Sequence, residues 1–199
     1  MMKKKFICIT GLDGVGKSTL IEAVKKNFDS VYLSNIWDLL NSPTGGLPFQ
    51  SKCEVDDFLC QLTPDSRLLF LAHAMKYSID LAFASDKDVV IVDSYYYKYF
   101  ASELALGAQK NLVVSLIKSF PNPDIVIELV LSVQEAACRK EKFSRYECGL
   151  ADTPDREAFI RFQNRVFQEW LVFDTYHWHR IDAAQDVEKV IESTLTLIG

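Results

Sequence analysis

The sequence predicts an α/β fold: a five-stranded, mostly parallel sheet with helices on both faces and a short lid. Three observations predict it. Five short strand-like runs recur along the chain, each followed by a segment with helical spacing. The first run, Lys5–Thr10, is continuously apolar at its centre rather than alternating, as expected of a strand covered on both faces. Immediately after it comes Gly11-Leu12-Asp13-Gly14-Val15-Gly16-Lys17-Ser18, a match to G-x-x-x-x-G-K-[ST] between a strand and a helix, the context that confirms the pattern.

The elements follow in order. Leu20, Ala23, Val24 and Phe28 recur at helical spacing, and Ser30–Ser34 reads as a second strand. Residues 36–64 read as irregular, with a loop at Ser42-Pro43-Thr44-Gly45-Gly46-Leu47-Pro48 and a short helix over Val55–Leu62. Ser66–Ala84 is predicted as a long helix with two apolar faces, Leu68, Ala72, Met75, Ile79 and Ala82 on one and Phe70, Ala74, Tyr77 and Leu81 on the other. One face suits the core, the other a ligand or a partner subunit. Asp88–Asp93 is an apolar strand ending in a carboxylate. A tyrosine-rich helix runs to about Leu106, and a second over Asn111–Phe120 is stopped by Pro121-Asn122-Pro123. Asp124–Val130 is the next strand, and Ser132 caps a helix over Val133–Glu141. A polar, basic stretch then makes a lid over approximately 139–153. Asp155–Asp174 is an amphipathic helix with Phe159, Phe162, Val166, Trp170 and Phe173 along one stripe. Trp178–Ile181 is the last strand and Asp186–Ile198 the closing helix, giving one domain over 1–199.

Composition narrows the function classes. A net charge of −5 argues against general nucleic-acid binding. No apolar stretch is long enough to span a membrane. The chain reads directly into a strand, so no signal peptide is expected. Five cysteines, odd in number and without metal-ligand spacing, point to reduced thiols and a cytoplasmic protein.

The glycine loop carries chemistry. Its backbone curls so that successive N–H groups face phosphate oxygens, and the helix N-terminus adds partial positive charge. In this pattern Lys17 reaches the β and γ phosphates and the Ser18 hydroxyl holds Mg²⁺. Asp93, ending a neighbouring apolar strand, is the second metal ligand. The expected fold is therefore that of P-loop NTPases and the expected cofactors are ATP and Mg²⁺. Gly11, Leu12, Asp13, Gly14, Val15, Gly16, Lys17, Ser18 and Thr19 form the nucleotide cradle.

Further motifs run through the chain: Leu68-Leu69-Phe70 opening the long helix, Asp93-Ser94-Tyr95 at a strand end, Arg145-Tyr146-Glu147-Cys148-Gly149 in the lid, then Phe162-Gln163 and Ile181-Asp182-Ala183. With the loop aspartate Asp13, they resemble the thymidylate kinases, a branch of the P-loop nucleoside monophosphate kinases, over nearly the whole length. The resemblance implies phosphoryl transfer from ATP to a small-molecule acceptor. It implies that Phe70 stacks on the acceptor ring and that Asp13 sits near the acceptor sugar and the metal. It further implies that Arg139 lies against adenine and that Arg145 is the lid arginine stabilising the transferring group. Lys17, Asp93, Arg145 and Asp13 are then the catalytic set, and the long helix forms a homodimer contact.

The departures from that family concern the acceptor. The first arginine of the chain is Arg67 and the next is Arg139. Where the family pattern has Asp-Arg-Tyr there is Ser94, and the base-reading arginine position is Ala74. Thymidylate is thus expected to be a poor acceptor. Two other readings stay open: a kinase for an acceptor without a phosphate, and a nucleotide-binding regulatory protein. Lys52, Lys76 or Lys98 can bind phosphate as point charges. Tyr95, His73 and Lys98 are expected with Phe70 in the acceptor pocket.

Overall fold

The computed structural model describes residues 4–37, 49, 51–173 and 177–199. Five strands form one sheet: β1 Lys5–Thr10, β2 Val31–Ser34, β3 Val89–Asp93, β4 Ile125–Val130 and β5 His179–Asp182. Their order is β2-β3-β1-β4-β5, and every pair is parallel. In the register, Ile9 lies beside Asp93 on one side and Ile127 on the other. All carboxyl ends therefore share one edge, where ligands bind in such sheets. Phe6, Ile7, Cys8 and Ile9 are all buried, which is why β1 reads as a continuous apolar run.

The helices are α1 Lys17–Lys25, α2 Lys52–Gln61, α3 Pro64–Ala84, α4 Tyr95–Ala105, α5 Lys110–Ile117, α6 Val133–Cys138, α7 Arg156–Glu169 and α8 Val187–Ile198. Helices α1 and α8 pack together, while α4 packs against α3 and α7. Right-handed crossovers in this strand order put the two groups on opposite faces. The expected second strand is one residue shorter, and the expected Ser42–Pro48 loop lies outside the described residues.

Helix boundaries shift where caps decide them. Helix α3 begins two residues before the expected Ser66, because Thr63 accepts from the Ser66 N–H and Pro64 presets the first turn. Helix α2 begins at Lys52 rather than Val55, since Ser51 accepts from the Glu54 N–H and donates to its side chain. Helix α7 ends at Glu169, with Trp170–Val172 continuing as a 3₁₀ turn, short of the expected Asp174. On α3 the first apolar face is buried, whereas on the second Phe70 and Tyr77 are half-buried and Leu81 is exposed.

A buried ion pair ties three elements together. Arg67 of α3 and Glu103 of α4 are both fully buried and 2.9 Å apart. Tyr146, in a 3₁₀ turn of the lid, donates to Glu103 at 2.8 Å. Burial pushes the Glu103 carboxyl up, against the pull of Arg67 and Tyr146.

Candidate active site

The loop between β1 and α1 takes its shape from two close approaches. A Cβ on Gly11 would sit 2.6 Å from the Leu129 carbonyl of β4, and one on Gly14 would sit 2.7 Å from the Ala136 carbonyl of α6. Both glycines have positive φ, so a side chain is excluded by conformation as well as by space. Lys17 begins α1 and is buried; its ammonium donates to the Gly11 and Leu12 carbonyls at 2.9 and 2.8 Å. Burial lowers its pKa, as does nearby Lys98, against the pull of Asp13 and Asp93.

The opposite wall begins at the end of β3. Ser94 and Tyr95 both have positive φ, an uncommon backbone for residues with side chains. The turn is held by the Ser94 N–H donating to Ile9 and by the Thr10 hydroxyl donating to the Ser94 carbonyl. It leaves Asp93 at the cavity, accepting from the Ser94 hydroxyl at 2.8 Å. One helical turn on, Lys98 donates to Asp13 of the loop at 2.5 Å. Burial works against the Asp13 carboxylate, but Lys98, Lys17 and Lys140 together outweigh it and hold the carboxyl below its ordinary value.

Gln163, fully buried on α7, joins loop and lid. Its amide nitrogen donates to Asp13 at 3.4 Å and to the Glu147 carbonyl at 3.1 Å. Lys140 closes the arrangement by pairing with Glu147 at 3.1 Å.

These walls enclose a cavity of about 760 Å³ along the carboxyl edge of the sheet. Arg139 lines one end, donating to the Val15 and Ala183 carbonyls at 3.4 and 2.8 Å. The donors fit a magnesium–nucleotide complex. Gly16 has φ 102°, and a Cβ there would meet nothing nearer than Arg139 Nη1 at 3.9 Å, leaving room for an anion against the backbone. Ser18 and Asp93 both line the cavity and supply one hydroxyl and one carboxylate. Mg²⁺ takes one or two carboxylates and completes its shell with phosphate and water.

The predicted residues divide clearly. Asp13, Gly14, Val15, Gly16, Lys17, Ser18, Thr19, Asp93, Arg139 and Lys98 line the cavity, whereas Gly11 and Leu12 are buried and do not line it. Tyr95 does not belong to it. The turn through Ser94 swings its ring into the core, 5.5 Å from Phe6 and 5.6 Å from Phe120, and its hydroxyl donates to Pro121. The expectation that Tyr95 lines an acceptor pocket is therefore corrected: it is a core residue, 1% exposed. Phe70 is half-buried with its ring 5.4 Å from Phe58, and His73 is exposed on α3; neither lines this cavity. Arg145 lies outside it as well, its guanidinium 3.3 Å from Asp152 and donating to the Ala151 carbonyl. Among the described residues, the lid cations that line the cavity are Arg139, at its far end, and Lys140. Gln163 and Glu147 had no assigned role in the sequence reading. The available signal was a polar amide inside the apolar stripe of α7, a position that demands a partner.

Comparison with known proteins gives one answer. The thymidylate kinase family model matches residues 9–194. A thymidylate kinase of Francisella philomiragia is 30% identical, covering 98% of this chain and 97% of that protein. A probable thymidylate kinase of Saccharolobus solfataricus is 27% identical, with the same coverage of 98% and 97%. Among solved structures, the thymidylate kinase of Candida albicans superposes with a TM-score of 0.72 at 18% identity, over 98% of this chain and 91% of that one. The last comparison establishes the P-loop NTPase fold. With its phosphate loop and Asp93 lining one cavity, the chain is a phosphotransferase acting on nucleoside monophosphates and belongs to the thymidylate kinase family.

Proposed function

We propose that this protein transfers the γ-phosphoryl group of ATP, with Mg²⁺, to a nucleoside monophosphate bound at the β2–β3 end of the cavity. The observation that carries the reading is the loop at the end of β1, with Lys17 on its rim and Asp93 across from it. ATP supplies the phosphoryl group, and Mg²⁺ neutralises charge on its β and γ oxygens. The loop N–H groups and Lys17 hold the donor phosphates; Ser18 and Asp93 hold the metal. Arg139, with Ala183 and Gln185, makes the purine end. Lys140 brings positive charge from the lid toward the transferring group, where spread-out negative charge requires it. Arg145 is the second lid cation, and Asp13 orients the acceptor sugar. Phe70 and His73, which stand on α3 outside the cavity lining, would meet the acceptor base only if α3 closes toward it.

No described helix is long and apolar enough to cross a membrane. We place the protein in the cytoplasm on its five unpaired cysteines, and we propose a homodimer through α3, whose Leu69 and Leu81 are exposed at 49% and 39%.

The test is a coupled assay with ATP and Mg²⁺ against thymidylate, deoxycytidylate, adenylate and guanylate and the four matching nucleosides, with the product identified by chromatography. A nucleoside diphosphate product from any of the monophosphates is expected. Turnover of nucleosides alone, or of no acceptor, overturns the reading.

A further inference from the structure

We infer that Lys98 is the cation that receives the phosphate of the acceptor, replacing by a single point charge any arginine clamp at that end of the cavity. The inference rests on the monophosphate reading above. Asn35 and Trp37 follow β2 and Ala183 follows β5, so the cavity spans the whole carboxyl edge of the sheet, with the loop between its ends. Among the described residues four cations line it. Lys17 belongs to the loop, Arg139 is bound to the Val15 and Ala183 carbonyls, and Lys140 is paired with Glu147. Lys98 is the one on α4, and among the described residues that line the β2–β3 end it alone carries positive charge.

Its surroundings suit a mobile phosphate ligand. Burial works against the ammonium, but the Asp13 carboxylate, with Tyr99 and Glu147, more than offsets this and keeps it charged. The Tyr99 ring lies 5.1 Å away and favours the same charge state. Lys98 can leave Asp13 without stranding a bare carboxylate, because Lys17 and Lys140 also act on Asp13. A phosphate monoester carries about −1.5 to −2 charge at neutral pH, more than the carboxylate it would replace as partner. The flexible lysine stem supplies the reach, and a point charge tolerates more than one phosphate position. Ser94 brings no charge here, its hydroxyl being spent on Asp93.

The experiment compares wild type, Lys98→Gln and Lys98→Arg. Initial rates are measured with the best monophosphate of the panel above and with its nucleoside, varying acceptor and ATP separately. Lys98→Gln is expected to raise the acceptor KM about ten- to a hundredfold, the worth of one charge-assisted contact. The preference for monophosphate over nucleoside falls by the same factor, the KM for ATP stays within about twofold, and Lys98→Arg recovers most of the loss. If Lys98 only braces Asp13, the two KM values and the melting temperature move together and the preference for monophosphate survives, which overturns the inference. An unchanged acceptor KM overturns it too. Should Lys98→Gln fail to fold, Lys98→Met keeps the aliphatic packing and is read in the same way. Monophosphate turnover by wild type that is insensitive to Lys98 refutes this assignment alone. Absence of monophosphate turnover in wild type refutes the underlying reading and this assignment with it.

Discussion

Glu103→Gln removes a buried charge while keeping its shape, so its cost reports on the ion pair beneath the lid. Both Glu103 oxygens accept from Arg67 Nε, at 3.0 and 2.9 Å, and one also accepts from the Tyr146 hydroxyl at 2.8 Å. Arg67 Nη1 donates to the Leu59 and Leu62 carbonyls at 3.1 and 2.9 Å, and Nη2 has no partner among the described atoms. The glutamine retains one acceptor oxygen and opens no cavity, but the guanidinium loses its counter-charge in a dry interior. Breaking a buried pair from one side costs about 3–5 kcal/mol. The two surviving carbonyl contacts of Arg67 put the expected loss near the lower end, about 3 kcal/mol. For a chain of this size each kcal/mol lowers Tm by about 2–4 °C, so a fall of about 6–12 °C is expected. Calorimetry at pH 7 measures it. The double variant Arg67→Met/Glu103→Leu is expected to lose less than Glu103→Gln, because burial already opposes the Glu103 charge and an apolar pair has no desolvation cost. A Tm change below about 2 °C for Glu103→Gln would show that water reaches the pair and refute the reasoning.

The remaining predictions concern the site and the assembly. Lys17→Ala is expected to fold normally and lose about a hundredfold or more in kcat, as the transition state loses a cation; normal turnover in a folded variant would sink the phosphate-loop assignment. Lys140→Ala is expected to lower kcat more than Arg145→Ala, since only Lys140 lines the cavity; the reverse order in steady-state kinetics would show that the lid rearranges to bring Arg145 in. Asp13, with its carboxyl lowered in the folded state by Lys98, Lys17 and Lys140 against the effect of burial, contributes stability that is complete above its ordinary pKa, near 3.8, and lost as pH falls through the folded value. The Tm gap between wild type and Asp13→Asn should therefore narrow as pH falls below 3.8, and a pH-independent gap contradicts it. A homodimer is expected by sedimentation at micromolar protein, and a monomeric mass there would leave the exposed face of α3 without a partner subunit.

Sequence alone determined the parts of this protein governed by local patterns. The apolar run of β1, the glycines at 11, 14 and 16 and Lys17-Ser18 lie within fourteen residues of one another, and their spacing carries both the strand–loop–helix geometry and the phosphate chemistry. Asp93 was legible for the same reason, as a carboxylate ending an apolar strand. Direction was not legible once the chain left a regular period. Tyr95 follows Asp93 by two positions, yet two successive positive-φ residues turn it into the core, and no periodic pattern encodes that turn. Nor could spacing reveal partners distant in sequence. Lys98 meets Asp13 across 85 positions, Arg67 meets Glu103 across 36, and Gln163 meets Asp13 across 150. Each is a buried polar group that must find a partner somewhere, and only the packing of α3, α4 and α7 over the sheet decides which. The local pattern carried the phosphate loop, while the tertiary fold alone decided that Lys98 meets Asp13 in the cavity.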